Sequence, residues 1–295
     1  MVARQRLCRP DFPRGTERRQ LIGSITTSSA GFPGFLNQSS MKPTLQVAIL
    51  LCAATTGVVS AWGQNGYRRL PVAEQYLQAA ADQERAALHL PPLRLDPALV
   101  QAATAHAIAM VEHDGISHQF PGEPDLSARA AAAGARFSRI SENVAEAPTA
   151  LRIHDAWMHS QGHRQNLLDI NVDAVGIAVI ARGTQLFAVE DFERTVQHLT
   201  LQQQEASVAR ALAPSGVALL EDHADARATC AQSTGYGGGR QPLFVMRYTT
   251  ANLDQLPEQL RSRLASGRYR EVAIGACEAG AGDFTTYSVA VLLYR

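Results

Sequence analysis

Lysine is nearly missing from this chain: Lys42 is the only one, and every later cation is an arginine. Together with abundant alanine, this is the look of coding bias in a GC-rich bacterial genome, and it bears on no function. Net charge is missing too, with 27 Lys and Arg against 27 Asp and Glu. A zero balance leaves no broad basic face of the kind that phosphate-backbone binding needs, so nucleic acid is not an expected partner. A spanning helix needs roughly 18–20 apolar residues; the mostly apolar stretch at 45–59 is shorter, so no membrane span is expected in the mature chain. The glycine-rich segment STGYGGGRQP (233–242) lacks the GK[ST] ending of a phosphate-binding loop. There is no G-x-S-x-G nucleophile motif.

What remains is ample for a folded core. The chain has 295 residues, 46% of them apolar, which fits two domains. Its charge is unevenly spread. Residues 1–40 carry six arginines against Asp11 and Glu17, and Lys42 adds one more cation; without residues 1–63 the net charge falls from zero to −5. From Met41 the text MKPTLQVAILLCAATTGVVSAWGQ has the form of a secretory leader: a short positive start, an apolar stretch, and small residues Ala61 and Gly63 two apart before a cut ahead of Gln64. Residues 1–40 have no periodicity. They are expected to be an over-called translation start, with an unusually long leader as the alternative, and to be disordered outside the fold.

Four cysteines are present, and Cys8 and Cys52 go with the leader. An exported chain would keep Cys230 and Cys277. In an oxidising compartment these are expected to form one disulfide, the alternative being two buried free thiols.

Apolar spacing predicts a helix over 72–88 with Val72, Tyr76, Leu77, Ala80 and Leu88 on one stripe. Asp96 followed by Pro97 predicts a capped helix start, running to about Asp114. Shorter helices are expected over 125–135 and over 149–161, the latter ended by Gly162. Two β runs follow at 174–181 and 185–192, joined by the turn RGT. After about Arg194 come a polar helix, the glycine-rich loop, and a β-α-β-β series. No internal repeat is visible in the sequence.

The stretch HDAWMHSQGHRQNLLD (154–169) sets three histidines within ten positions. His159 and His163 stand four apart, as in the H-E-x-x-H zinc helix, but HSQGH lacks its glutamate. A longer-range set carries more chemistry. His118 in GISH, Glu142 in ISENVAEA and His163 lie on separate segments that could converge on one cleft. Two imidazoles and a carboxylate there could bind a divalent metal or exchange a proton.

The segments LQAAADQERAALHLPPLRLDPALVQAATAHAIAM, ISH, SENVAEA, AWMHSQGHRQNLLD and AVGIAVIA, in this order, resemble the CAP superfamily: the SCP-like cysteine-rich secretory, antigen 5 and pathogenesis-related-1 proteins, in their bacterial secreted form. The resemblance covers roughly 72–195. It implies an α+β fold, a CAP-type α-β-α sandwich. Outside the resemblance, the pattern of residues points to a smaller α/β C-terminal unit over 199–295, with the one disulfide expected from the cysteine count.

The family's eukaryotic members carry two histidines and two glutamates in a central cleft, able to hold a divalent cation such as zinc. On this sequence His118 and His163 match the histidines, and so would be the metal ligands. Glu142 matches the glutamate of the G-E-N motif, with Ser141 in place of its glycine. Asn143 follows it in the motif, and Ser160 stands where the second glutamate is expected, which weakens the case for metal. Trp157 is expected in the core, and Arg164 and Asn166 to tie the loop to Glu142 or to backbone carbonyls.

The resemblance implies a secreted or periplasmic protein whose cleft binds a small amphipathic ligand, peptide or envelope component without catalysis. One alternative is a hydrolase using His118, Glu142 and His163, with or without a divalent metal. The other is a scaffold that meets a partner through the C-terminal unit.

Overall fold

Tyr67–Arg69 forms a short strand (β1), and Pro71 opens helix α1 (Pro71–Ala87) at the one helical position where its missing N–H costs nothing. Arg94–Leu95 is a two-residue strand, β2. Asp96 then caps α2 (Pro97–Glu112), its carboxylate accepting from the amides of Ala98 (2.8 Å) and Leu99 (3.4 Å). Helix α3 (Leu126–Ala132) is capped by Asp125 and followed by a long strand, β3 (Phe137–Ala147). Helices α4 (Ala150–His159) and α5 (Gln161–Leu167) meet at Ser160, and the hairpin β4 (Ala174–Arg182) and β5 (Gln185–Thr195) closes this part. The structure is a computed structural model that describes residues 66–295; the leader expected at 41–63 and the start expected at 1–40 lie outside the described residues.

The strands form one sheet in the order β1-β4-β5-β3, with β2 running parallel to β4. Alternation along each strand sends side chains to two faces. One face carries Val144, Ala178, Ile180, Phe187 and Val189 against Ala103, Ala107 and Met110 of α2. The other carries Ala145, Ile177, Val179, Ala188 and Phe192 against Leu77 of α1, Ile153 and Trp157 of α4, and Leu167 of α5. The result is an α-β-α sandwich of the α+β class. Gly176 lets α2 approach closely: a Cβ there would lie 2.2 Å from the carbonyl carbon of Leu99.

The C-terminal part contains α6 (Leu201–Leu212), a 3-10 turn (Ala213–Ser215), β6 (Ala218–Leu219), α7 (Ala224–Cys230), β7 (Phe244–Thr250), α8 (Glu258–Ala265), β8 (Glu271–Cys277) and β9 (Tyr287–Tyr294). Its sheet runs β6-β8-β9-β7. Cys230 and Cys277 are disulfide-bonded.

This second part repeats the first. With β1, α3 and α5 of the first part set aside, helix, two-residue strand, helix, strand, helix, hairpin is the order of both, and β6 runs parallel to the start of β8 as β2 does to the start of β4. The hydrogen bonds coincide as well. Arg94 and Asp96 donate to the carbonyls of Asp173 and Val175, as Ala218 and Leu220 donate to those of Arg270 and Val272. The Asp173 amide reaches the Glu193 carbonyl, as the Arg270 amide reaches that of Tyr294, each at 2.9 Å. A glycine also admits α7, although Gly275 lies two residues further along its strand than Gly176 does in this register: its Cβ would fall 2.2 Å from backbone atoms of Ala226 and Arg227. Buried residues of α6 and α8 cover one face of the second sheet, and Ala226 of α7 the other. No repeat is visible in the sequence because what is shared is the order, register and closest approach of elements, and many side-chain sets satisfy those.

Three expectations are corrected and one strand is added. FSRISENVAEA, which the sequence assigns to no element, is a strand. Gly162 lies in the first turn of α5, and α4 ends instead at Ser160, whose ψ of 120° leaves the helical region. The α1 stripe is shifted: Val72 and Leu88 are exposed, and Leu77, Ala81 and Arg85 face inward. The C-terminal part has helix α7, which the β-α-β-β reading omits.

Candidate functional site

β3 is an edge strand of its sheet, and the candidate residues gather around it. Glu142 points to the α2–α3 face, paired in register with Asp191 of β5; Asn143, one residue on, points to the α4–α5 face, paired with Glu190. The two faces of the edge thus carry two linked polar groups.

On the first face, Glu142 is almost fully buried and both its oxygens are engaged. Oε1 lies 2.7 Å from His118 Nδ1, and Oε2 accepts from the Arg129 guanidinium at 2.5 Å. Arg129 comes from α3 and also donates to the carbonyls of His118 (3.2 Å) and Pro124 (3.1 Å), so one side chain holds both the carboxylate and the loop that bears the imidazole. His106 of α2 is fully buried behind them. Its Nδ1 faces Glu123 Oε1 at 2.6 Å and its Nε2 the Ser117 carbonyl at 2.8 Å. Burial works to raise the pKa of Glu123, but the Phe120 amide, His106 and Arg129 outweigh it and bring it below its ordinary value. The His118 side chain itself is 42% exposed, so its second nitrogen is within reach of solvent.

Asp191 is buried beside Glu142. Burial, and then the charge of Glu142, push its carboxyl well above the usual carboxylate range against the pull of Arg129. The Glu142 side chain leans toward it and adds to the rise, yet neither Asp191 oxygen has a hydrogen bond of good geometry.

On the second face, Asn143 donates to the His163 carbonyl (3.1 Å), and Asn166 donates to the Asn143 amide oxygen (3.0 Å) and to the Glu142 carbonyl (3.2 Å). Asn166 therefore pins α5 to β3. His163 is buried, and burial, helped by the neighbouring His118, lowers its pKa to about 4, so its ring is neutral at physiological pH. Glu190 is fully buried and burial raises it to about 8; the Asn143 side chain leans toward it and limits the rise, yet neither oxygen has a hydrogen bond of good geometry.

His118 and Glu142 are thus in contact, and His163 and Asn143 sit on the other side of the same strand. Ser160 lies at the α4–α5 joint and caps α5 with no side-chain bond. His154 is buried near Glu84 with its pKa lowered by that burial, and His159 is exposed beside Asp155. Trp157 is in the core, its indole donating to the Val144 carbonyl at 3.2 Å. Five residues of the network were not singled out in the sequence: His106, Glu123, Arg129, Glu190 and Asp191. The only available signal was three acids in VEDFE, on a strand too apolar at its start to face water on both sides. A cavity of about 510 Å³ lies elsewhere, where the two sandwiches meet, lined by Arg194, Gln203, Arg210, Asn252 and Tyr287 among others.

The divalent cation implied by the resemblance does not fit these residues. Glu142 has no free oxygen, and a guanidinium already supplies the positive charge beside it. Serine stands at the second glutamate position, and among the described residues no group of three or more His, Cys, Asp or Glu is placed to hold a metal ion.

Residues 64–192, which span the α-β-α sandwich and its edge strand, match the family model of CAP, the Cysteine-rich secretory protein family. The chain is 29% identical over 102 residues to the protein YkwD of Bacillus subtilis (strain 168); that stretch is 34% of this chain and 40% of YkwD, so less than half of that relative's length is spanned. Among solved structures, an outer surface protein from Borrelia burgdorferi matches with a TM-score of 0.41 and 21% identity, over 43% of this chain and 98% of that one. An extracellular protein containing a SCP domain from Bacillus anthracis str. Ames matches with a TM-score of 0.39 and 24% identity, over 42% and 41% of the two chains.

Proposed function

We propose that the protein is exported and that its CAP domain, over about 72–195, is a non-catalytic receptor for a small amphipathic ligand, a peptide or an envelope component. The observation that carries this reading is the saturation of Glu142. With both oxygens held internally by His118 and Arg129, the carboxylate is not available to activate water or bind metal. What it does is orient. Nδ1 of His118 turned onto Glu142 leaves Nε2 as the polar atom offered outward, suited to a ligand hydroxyl or amide. His163, neutral and buried, and Asn143 stand on the other side of the same strand, with Ser160 at the α4–α5 joint. Export is supported by the leader at 41–63 and by a bonded cysteine pair outside it. No described helix is long and apolar enough to cross a membrane.

The test is native mass spectrometry of the secreted protein beside its His118→Ala variant. A co-purified small molecule is expected on the wild type and lost from the variant, at unchanged melting temperature. Equal occupancy of both would sink the reading.

One observation favours a second reading, a hydrolase. An imidazole held at 2.7 Å by a carboxylate is also how a general base is oriented. Turnover of an ester or peptide substrate that His118→Ala abolishes would replace binding by catalysis.

A further inference from the structure

We propose that the second sandwich, 199–295, is a copy of the CAP sandwich emptied of its site, and that it braces the site of the first through Asp283 and Phe284. These act as positioning residues for Arg129 and, through it, for Glu142 and His118. The proposal rests on the reading above only in naming which group is the site; the contacts stand without it.

The shared register identifies what the second copy has lost. With Asp173 and Glu193 equivalent to Arg270 and Tyr294, the pair Glu142–Asp191 corresponds to Val245–Leu292, and Asn143–Glu190 to Met246–Val291. Every polar member of the site network on the two strands is replaced by an apolar one. Leu292 and Tyr294 are buried there with Ala226 and Ala273, with Val245 packed against them. A sandwich so filled can bind nothing at that edge.

One feature has grown instead. The first copy joins its hairpin strands, β4 and β5, through Gly183 and Thr184; the second joins β8 and β9 through nine residues, 278–286. That loop begins at Cys277, which the disulfide ties to Cys230 at the end of α7. Its far end rests on the first sandwich. Asp283 accepts from the Ser127 hydroxyl at 3.1 Å, the Phe284 ring stands edge-on to Phe137 at 5.2 Å, and the Thr285 amide donates to the Phe137 carbonyl at 2.8 Å.

Those partners are the seat of α3. Phe137 is fully buried against Ala130 of that helix, and Ser127 lies in its first turn. At seven residues α3 is too short to hold itself and takes its place from packing. Arg129, midway along it, is the side chain that grips both Glu142 and the His118 carbonyl. The path from the second sandwich to the site is thus continuous: loop 278–286, then Ser127 and Phe137, then Arg129, then Glu142 and His118.

The test reads the His118 ring in the full secreted chain, by its NMR resonances and by its rate of modification with diethylpyrocarbonate. Asp283→Ala combined with Phe284→Ala is expected to shift the ring resonances and to speed modification about threefold, the size of effect seen along packed networks. Asp283→Asn, which can still accept from Ser127, is expected to behave as wild type. Leu260→Ala, which opens the core of the second sandwich on α8 and leaves the loop's own contacts with Ser127 and Phe137 in place, is expected to lower the melting temperature without moving His118. The proposal is overturned if the double variant leaves the ring unchanged, or if Leu260→Ala moves it equally. A failure to find any ligand touches the functional reading and not this outcome, because the ring is read directly.

Discussion

Glu190 departs far from the behaviour of its residue type. It lies on a central strand, fully buried, with its pKa raised by that burial to about 8. In the unfolded chain it ionises near 4.5, so between about pH 4.5 and 8 the native state holds a proton that the unfolded state does not. Stability therefore falls as pH rises through that window, by about 1.4 kcal/mol per pH unit at most. Glu190→Gln removes this term while keeping the shape. It is expected to stabilise the protein by about 3 kcal/mol near pH 7 and by almost nothing at about pH 4.5. Urea denaturation of both proteins at the two pH values checks this; a gain equal at both would mean that the carboxyl ionises freely in the fold. Asp191 and Glu193, also raised by burial, remain and keep part of the slope. The opposite sign holds for His163. Its ring, depressed to about 4, is neutral in the fold and charged in the unfolded chain below about 6.5, so it costs stability as pH falls through that range.

Elements are held by a few points of close approach. Gly176 is where α2 meets the first sheet, and its Cβ would overlap the backbone of the helix start at Leu99 and Val100. A backbone clash cannot be relieved by turning a side chain, so Gly176→Ala must push α2 away from the strands. It is expected to cost about 3 kcal/mol. Because His106 rides on α2, the same change should disturb its contacts with Glu123 and Ser117. Thermal unfolding measures the first effect, and the His106 ring resonances the second. A substitution that left both unaltered would show that α2 has slack against the sheet. The start of α2 could be read from Asp96 and Pro97, whose chemistry acts within three residues. The strand nature of 137–147 could not. Polar residues on both sides of β3 make no alternating pattern, because the buried ones are satisfied by partners from α3, α5 and β5 that are distant in the chain.

For the molecule as a whole, the disulfide closes 47 residues of the second sandwich. The chain-entropy model puts its contribution at about 4 kcal/mol. Replacing both cysteines by serine is expected to lower the urea midpoint and to steepen the transition, since an uncrosslinked unfolded chain exposes more surface. An unchanged midpoint would place the bond outside the cooperative unit.

Local chemistry decided what local residues can decide: the capped start of α2, the hairpin at Gly183, the pairing of two cysteines, and the candidacy of His118, Glu142 and His163. Tertiary structure decided the rest. It put Arg129 on the carboxylate that a metal would need, placed Asp191 and Glu190 beside Glu142 and Asn143 through strand register, buried Arg85 against the Leu167 and Asp169 carbonyls, and folded the last hundred residues along the path of the first. The physical reason is that burial and register belong to pairs of segments. A carboxylate becomes an acid, and an arginine a core residue, only when the neighbours that desolvate or satisfy it arrive from elsewhere in the chain.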